Sequence, residues 1–140
     1  MKTTVKWVDN MMMVGESGSG HAVVMDGPEV VGGKNLGIRP MEMLLLGMGG
    51  CTSIDVLSIL KKMRQDVVDC RCEISAERAD DHPKVFNNIH IHFVIDGHHL
   101  DDKKVAKAIS LSAEQYCSAS IMLGKTATIT HDFEINDTQK

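Results

Sequence analysis

The chain has 140 residues, a formal net charge of −4 and a hydrophobic fraction of 43%. This length is typical of one domain, so we predict a single domain over residues 1–140, and the apolar fraction excludes a disordered protein. The acidic balance argues against the basic surfaces with which proteins bind nucleic acids or anionic membranes.

The N-terminal third is predicted to form three short strands and a loop. Apolar and polar residues alternate at 4–8, and the runs at 11–15 and 21–26 are separated by a glycine- and serine-rich turn, so we predict a strand in each. The stretch 27–39 combines Pro28 with several glycines and shows no periodicity. We therefore predict a surface loop there.

A long apolar helix is predicted from Pro40 to residue 65. Proline suits the first position of a helix because its backbone angle is already helical there. The first half of this segment, MEMLLLGMGGC, is apolar on nearly all sides, and such a helix must be enclosed. A monomer of 140 residues offers too little protein to enclose it, so we predict a partner subunit.

The sequence gives no indication of export or of a membrane span. The N-terminal run MKTTVKWVDN lacks the hydrophobic core of a signal peptide. The longest uncharged stretch of note, residues 43–54, has 12 residues, whereas a membrane-spanning helix needs about 18. We therefore predict a cytoplasmic protein.

The C-terminal half alternates between strand and helix patterns. Strict alternation predicts strands at 67–78 and 85–95, joined as a hairpin, and a final strand at 125–135. Between them, helices are predicted at 101–116 and 118–123. This order predicts an α+β fold with mostly antiparallel sheets.

Four cysteines are the main candidates for chemistry. Cys51 lies in the predicted central helix after closely spaced glycines, and it is either a nucleophilic thiol or a small core residue. Cys117 stands where a new helical turn would lower its pKa, which would make a reactive thiol. Cys70 and Cys72 share the inward face of a strand, so we predict that both are core residues.

Two histidines share the outward face of a predicted strand. His90 and His92 are two residues apart, a spacing that could begin a metal site. A structural or catalytic zinc site needs three or four such ligands, and no third ligand is placed by the sequence. We therefore predict a solvated strand face and no metal.

Several short motifs are spread along the chain in a familiar order: PMEM at 40–43, GGC at 49–51, DVLSIL at 55–60, RQDVVDC at 64–70, LSAEQYCS at 111–118 and ITH at 129–131. With these motifs the sequence resembles the OsmC/organic hydroperoxide resistance (Ohr) family, most closely its YhfA-like branch. The resemblance covers about the whole chain and keeps the order of elements.

The resemblance implies a fold, a chemistry and partners. The fold is OsmC-like, with two chains interlocked as a homodimer around the long central helix. Family peroxidases reduce organic hydroperoxides without metal or haem, and a dithiol reductant, lipoyl-type in some members, restores them. The Cys51 position holds the attacking thiolate, which becomes a sulfenic acid, and the Cys117 position resolves it as a disulfide.

This sequence departs from the family pattern at the groups that activate the thiolate. Family peroxidases carry an arginine near the N-terminal glycine-rich turn and a glutamate directly after the proline that opens the helix. Here the turn has no arginine, and Glu42 stands one place late after Pro40. Arg39 and Glu42 remain candidates that shape the site, as does Asp55, one helical turn after Cys51.

These patterns lead to a functional prediction with one alternative. We predict a thiol-dependent peroxidase in which Cys51 reduces an organic hydroperoxide and Cys117 resolves it, with activity lowered by the displaced arginine and glutamate. No cofactor is expected. The alternative is a non-enzymatic dimer of the same fold that binds a small ligand or senses redox state through its thiols.

Overall fold

The computed structural model describes residues 1–138 and contains two three-stranded sheets and a long helix. The strands are β1 (Thr3–Asp9), β2 (Met12–Ser17), β3 (Ala22–Met25), β4 (Asp66–Arg78), β5 (Phe86–His98) and β6 (Thr128–Asp137). The helices are α1 (Pro40–Lys62), α2 (Asp102–Leu111) and α3 (Ser118–Leu123). The predicted α+β class is therefore confirmed.

The chain divides into two compact units, residues 1–46 and the part from Gly47 onward. The prediction of one domain over the whole chain stays a prediction. In the first unit, β1, β2 and β3 form an antiparallel sheet in chain order. Such an order follows directly from short connections between neighbouring strands.

The loop after β3 is organised by one buried carboxylate. Asp26 is 2% exposed, and its oxygens accept the backbone N–H groups of Gly27, Lys34 and Leu36 at 2.7, 3.0 and 3.1 Å. The N–H of Leu36 contributes most to lowering the pKa of Asp26. These hydrogen bonds thus hold the predicted loop in one conformation, although its sequence shows no hydrophobic periodicity.

The second unit is built on the sheet β4-β5-β6. The β4–β5 pair is antiparallel and the β5–β6 pair is parallel, so the sheets are mostly antiparallel, as predicted. The parallel pair requires a long crossover, which α2 and α3 supply. The inward residues predicted for β5 are all buried: Ile89, Ile91, Phe93 and Ile95.

Helix α1 ends at Lys62, three residues before the predicted end at residue 65. Arg64 adopts a left-handed backbone conformation with φ of 56°, and the N–H of Gln65 donates to the carbonyl of Leu60 at 3.0 Å. This is the hydrogen bond of a Schellman motif, which usually relies on glycine. Because arginine stands where glycine is usual, the end of the helix was not predicted at this position.

One face of α1 is buried and much of the rest is not. Met48, Val56 and Leu60 are fully buried. Several large apolar side chains of the same helix are exposed: Met43, Leu44, Leu46, Ile54 and Leu57. The apolar surface predicted to need a partner subunit is therefore present on the single chain.

The length and composition of α1 would also suffice for a membrane span. The helix has 23 residues, and an 18-residue window within it reaches a mean hydropathy of 1.8. The uncharged stretch 43–54, on which the prediction of no membrane span was based, is therefore shorter than the apolar part of the helix. The core helix of a water-soluble protein passes the same test. In the single chain 28% of that window is buried, and the fully buried apolar residues of the helix are Met48, Val56 and Leu60.

The second half of the crossover differs from the predicted elements. Helix α2 ends at Leu111, and the chain continues to Tyr116 as a π-helical turn. The last strand begins at Thr128, not at residue 125. The N–H of Ala127 still donates to the carbonyl of Leu123 at 3.0 Å, which prolongs the helical turn of α3 and delays the strand.

The outward histidines of β5 lie beside polar side chains of β6. His90 Nδ1 is 2.7 Å from Thr130 Oγ1, and His92 Nδ1 is 2.6 Å from Asp132 Oδ1. The hydrogen bond to Asp132 is the main reason that the pKa of His92 is raised. These residues form a polar outer face of the sheet, as the sequence predicts.

Candidate active site

Two cysteines and an aspartate meet inside the second unit. Cys51 is half-buried in α1 and Cys117 is fully buried immediately before α3. Their sulfur atoms and a carboxylate oxygen of Asp55 all lie within 4.8 Å of one another. The proximity of Cys51 and Cys117 implied by the family resemblance is therefore present, and Asp55 joins them.

The π-helical turn places Cys117. Its N–H donates to the carbonyl of Ser112, five residues earlier, at 2.8 Å. A π turn accommodates one more residue than an α-helical turn and recurs at functional sites. Cys117 then adopts an extended conformation, with φ of −73° and ψ of 97°, and caps α3.

The sulfur of Cys117 accepts two hydrogen bonds from one residue. The Ser120 hydroxyl lies 3.1 Å and the Ser120 N–H 3.4 Å from the sulfur. Burial nevertheless raises the pKa of the Cys117 thiol, and the nearby Cys51 adds to the rise, whereas Ser120 lowers it only in part. The expectation that a helix N-terminus would lower this pKa is wrong because desolvation outweighs those hydrogen bonds.

A pair of buried hydroxyls connects the two chain segments that carry the thiols. The hydroxyl oxygens of Thr52 and Ser112 are 2.9 Å apart, and both side chains are buried. The Ser112 hydroxyl also donates to Asp55 Oδ2 at 3.4 Å. The sequence prediction missed these two residues and Ser120, although Thr52 directly follows Cys51 and Ser120 belongs to the CSAS run.

A glycine allows α1 to approach the sheet near Cys51. A Cβ atom added to Gly49 would lie 2.8 Å from Cδ1 of Ile74 and 3.8 Å from the sulfur of Cys72. Because Gly49 has no side chain, α1 can pack directly against strand β4 at this point. Gly49 is buried, so the first turn before Cys51 is fixed against the sheet.

The two cysteines of β4 lie outside the cluster of Cys51, Asp55 and Cys117. Cys70 and Cys72 are half-buried on the strand face that pairs with Ile95 and Phe93. Burial raises the pKa of Cys70 to about 11 and also raises that of Cys72. Both thiols stay protonated at neutral pH, which fits the core role predicted for them.

Arg39 and Glu42 have partners of their own within residues 1–46. The Arg39 guanidinium donates to the carbonyls of Asp26 and Gly37 at 3.3 and 3.1 Å and to Asn35 Oδ1 at 3.0 Å. Its backbone N–H donates to Glu42 Oε2 at 2.9 Å. Glu42 thus caps the start of α1, and the role of both residues in shaping the thiol site stays a prediction.

A cavity of about 360 Å³ adjoins the thiol site. Its walls include the apolar side chains of Phe93, Ile109 and Ile129. Thr52, which follows Cys51 in the sequence, also lines it. So does Ser120, whose hydroxyl donates to the Cys117 sulfur. The cavity is large enough for a small apolar molecule.

Known proteins resemble this chain in sequence over nearly its whole length. Residues 32–132 match the family described as OsmC-like protein. The chain belongs to this family. It is also 48% identical over 138 residues to Protein YhfA of Escherichia coli K12, covering 96% of this chain and 98% of that protein.

Solved structures show the same OsmC-like fold. A hypothetical protein from Aquifex aeolicus VF5 is 27% identical with a TM-score of 0.87, over 99% of this chain and 97% of the other. The organic hydroperoxide resistance protein OhrB of Bacillus subtilis is 17% identical with a TM-score of 0.65, over 95% and 96%. The second likeness concerns the fold alone.

Proposed function

We propose that the protein is a thiol-dependent peroxidase that reduces organic hydroperoxides. The observation that carries the proposal is the pair of sulfur atoms of Cys51 and Cys117 within 4.8 Å. Cys51 is half-buried while Cys117 is fully buried. An incoming hydroperoxide can therefore reach Cys51 first. The name of the structurally similar organic hydroperoxide resistance protein supports this substrate class.

The reaction uses only the two thiols, the hydroperoxide and a dithiol. The Cys51 thiolate attacks the terminal oxygen of the hydroperoxide, the O–O bond breaks, and the alkoxide takes a proton and leaves as an alcohol. Cys51 is now a sulfenic acid. The Cys117 sulfur attacks it, a disulfide forms and water leaves. A dithiol, lipoyl-type in our proposal, reduces the disulfide and becomes a disulfide itself.

Ser120 supports the reductive half of this cycle. The dithiol reaches the disulfide at the more accessible Cys51 sulfur, so Cys117 is the leaving group. A leaving thiolate is stabilised by hydrogen-bond donors, and the hydroxyl and N–H of Ser120 already point at this sulfur. We expect the reaction in the cytoplasm, where dithiol reductants are available.

Counting thiols tests the proposal. Reduced protein mixed with one equivalent of cumene hydroperoxide should lose two of its four thiols. Peptide mapping should then find a Cys51–Cys117 disulfide, with Cys70 and Cys72 still free as internal controls. Unchanged thiols after exposure to a panel of organic hydroperoxides would contradict the peroxidase and favour the alternative, a dimer that binds a small ligand in the 360 Å³ cavity.

We also propose a homodimer formed through the exposed apolar side chains of α1. Sedimentation at micromolar concentration should give the mass of two chains, because the exposed Leu46 and Ile54 favour burial. Ile54→Asp should shift the protein to monomer. Lys61→Asp, which adds a charge of the same sign on the same helix, should leave the dimer intact. A stable soluble wild-type monomer would contradict the dimer.

A further inference from the structure

The cluster of Cys51, Asp55 and Cys117 has the composition of a metal site as well as that of a redox site. Two sulfurs and one carboxylate oxygen lie within 4.8 Å of one another. We propose that the reduced protein binds one Zn²⁺ ion through these three side chains. This inference goes beyond the peroxidase and does not depend on it, because metal binding needs the thiols but no hydroperoxide.

The distances suit a tetrahedral ion. Zinc binds cysteine sulfur at about 2.3 Å and carboxylate oxygen at about 2.0–2.2 Å, so its ligand atoms lie about 3.5–3.8 Å apart. The three ligand atoms lie within 4.8 Å of one another, so they need to approach by at most about 1 Å to reach this spacing. Cys51 and Asp55 are four residues apart on α1 and thus share one face of the helix.

Neighbouring hydrogen bonds hold two of the ligands in place. The Ser112 hydroxyl contacts Asp55 Oδ2 at 3.4 Å, and Ser112 is itself tied to Thr52. The Ser120 hydroxyl lies 3.1 Å from the Cys117 sulfur. Such outer contacts orient the ligands of a metal site and raise its affinity.

The donor set selects the ion. Two thiolates favour Zn²⁺ over the hard cations Mg²⁺ and Ca²⁺, which prefer oxygen ligands. Binding displaces the two thiol protons and leaves one coordination position for solvent, which the half-buried Cys51 makes reachable. A bound ion occupies both sulfurs, so Zn²⁺ and a thiol oxidant should compete for the same site.

Cobalt(II) serves as the spectroscopic probe. Reduced wild-type protein, titrated with Co²⁺ without oxygen, should develop sulfur-to-cobalt charge-transfer absorption with one ion per chain. Added Zn²⁺ should abolish these bands. Cys51→Ser should lose most of the absorption. Asp55→Asn replaces a direct ligand, so it should lower the affinity by more than the roughly tenfold typical of losing an outer-shell partner. Cys70→Ser, a matched cysteine outside the cluster, should bind as the wild type does.

Two further measurements do not depend on whether the Cys51→Ser and Asp55→Asn variants fold. Wild-type protein oxidised with diamide, which converts two thiols to a disulfide and becomes a hydrazine, should no longer bind Co²⁺. Absence of charge-transfer bands in reduced wild type, or equal loss in Cys70→Ser, would overturn the proposal. Peroxidase activity is measured with a chelator present, so that no metal ion occupies the thiols. The metal site can therefore be wrong while the peroxidase is right, and the reverse.

Discussion

We expect Cys51→Ser to abolish hydroperoxide consumption, a loss of at least about a thousandfold. The reaction transfers an oxygen atom to sulfur, and a serine hydroxyl cannot accept it. Cys117 is fully buried and Cys70 has a pKa of about 11, so neither substitutes as the first nucleophile. The measurement is the rate of loss of cumene hydroperoxide. Wild-type consumption by Cys51→Ser would show that the peroxidase assignment is wrong.

Cys117→Ser is the matched variant, because it changes the other member of the pair in the same way. It should consume about one equivalent of hydroperoxide per chain and then stop as a sulfenic acid, which dimedone traps. Continued turnover with a dithiol would show that Cys117 is not the resolving residue. A Cys70→Ser variant should behave as wild type throughout.

The pH dependence should separate the two chemical steps. Burial raises the pKa of Cys117 above its ordinary value of 9.0, so only a small fraction is thiolate at pH 7. That fraction grows as the pH rises, and disulfide formation should therefore accelerate from pH 7 to pH 9. Quenching with an alkylating agent at set times measures this step. In the Cys117→Ser variant only the first oxidation takes place. Its rate therefore separates the oxidation of Cys51 from the formation of the disulfide.

Phe93→Ala should cost about 3–5 kcal/mol of the free energy of unfolding. Phe93 is 1% exposed in the middle of β5 and also forms part of the cavity wall. Removing the ring enlarges an existing void, which the neighbouring strands cannot fill by collapsing because both pair with β5. Urea unfolding followed by circular dichroism measures the loss.

The neighbouring phenylalanine supplies the control for that experiment. Phe133 pairs with Phe93 in the parallel β5–β6 register but is only half-buried. Phe133→Ala removes the same atoms and should cost at most about half as much, because less apolar area returns to water. Equal losses in both variants would contradict the view that Phe93 is the centre of this core.

Strand positions were predictable because one face of each long strand is buried. The alternation in 67–78 and 85–95 predicts β4 and β5 closely, since burial of one face imposes a period of two. The parallel pairing of β6 with β5 was not predicted, because alternation along one strand says nothing about the direction of its neighbour.

The thiol pair and its surroundings differ in how far the sequence reveals them. Cys51 and Cys117 are 66 positions apart. Their proximity was predicted from the family resemblance and not from their spacing. Thr52, Ser112 and Ser120 were missed because a buried hydroxyl is recognised only by its partner. The capping roles of such short polar side chains depend on the local backbone, which residue types alone do not specify.

The π turn makes the site sensitive to the number of residues between α2 and α3. Each residue turns a helix by about 100° and advances it by about 1.5 Å. In a regular α-helix of the same sequence, Tyr116 would donate to the Ser112 carbonyl in place of Cys117, and Cys117 would lie about 100° further around the axis. The spacing from Ser112 to Cys117 is therefore a fixed length in this protein, whatever side chains occupy its exposed positions.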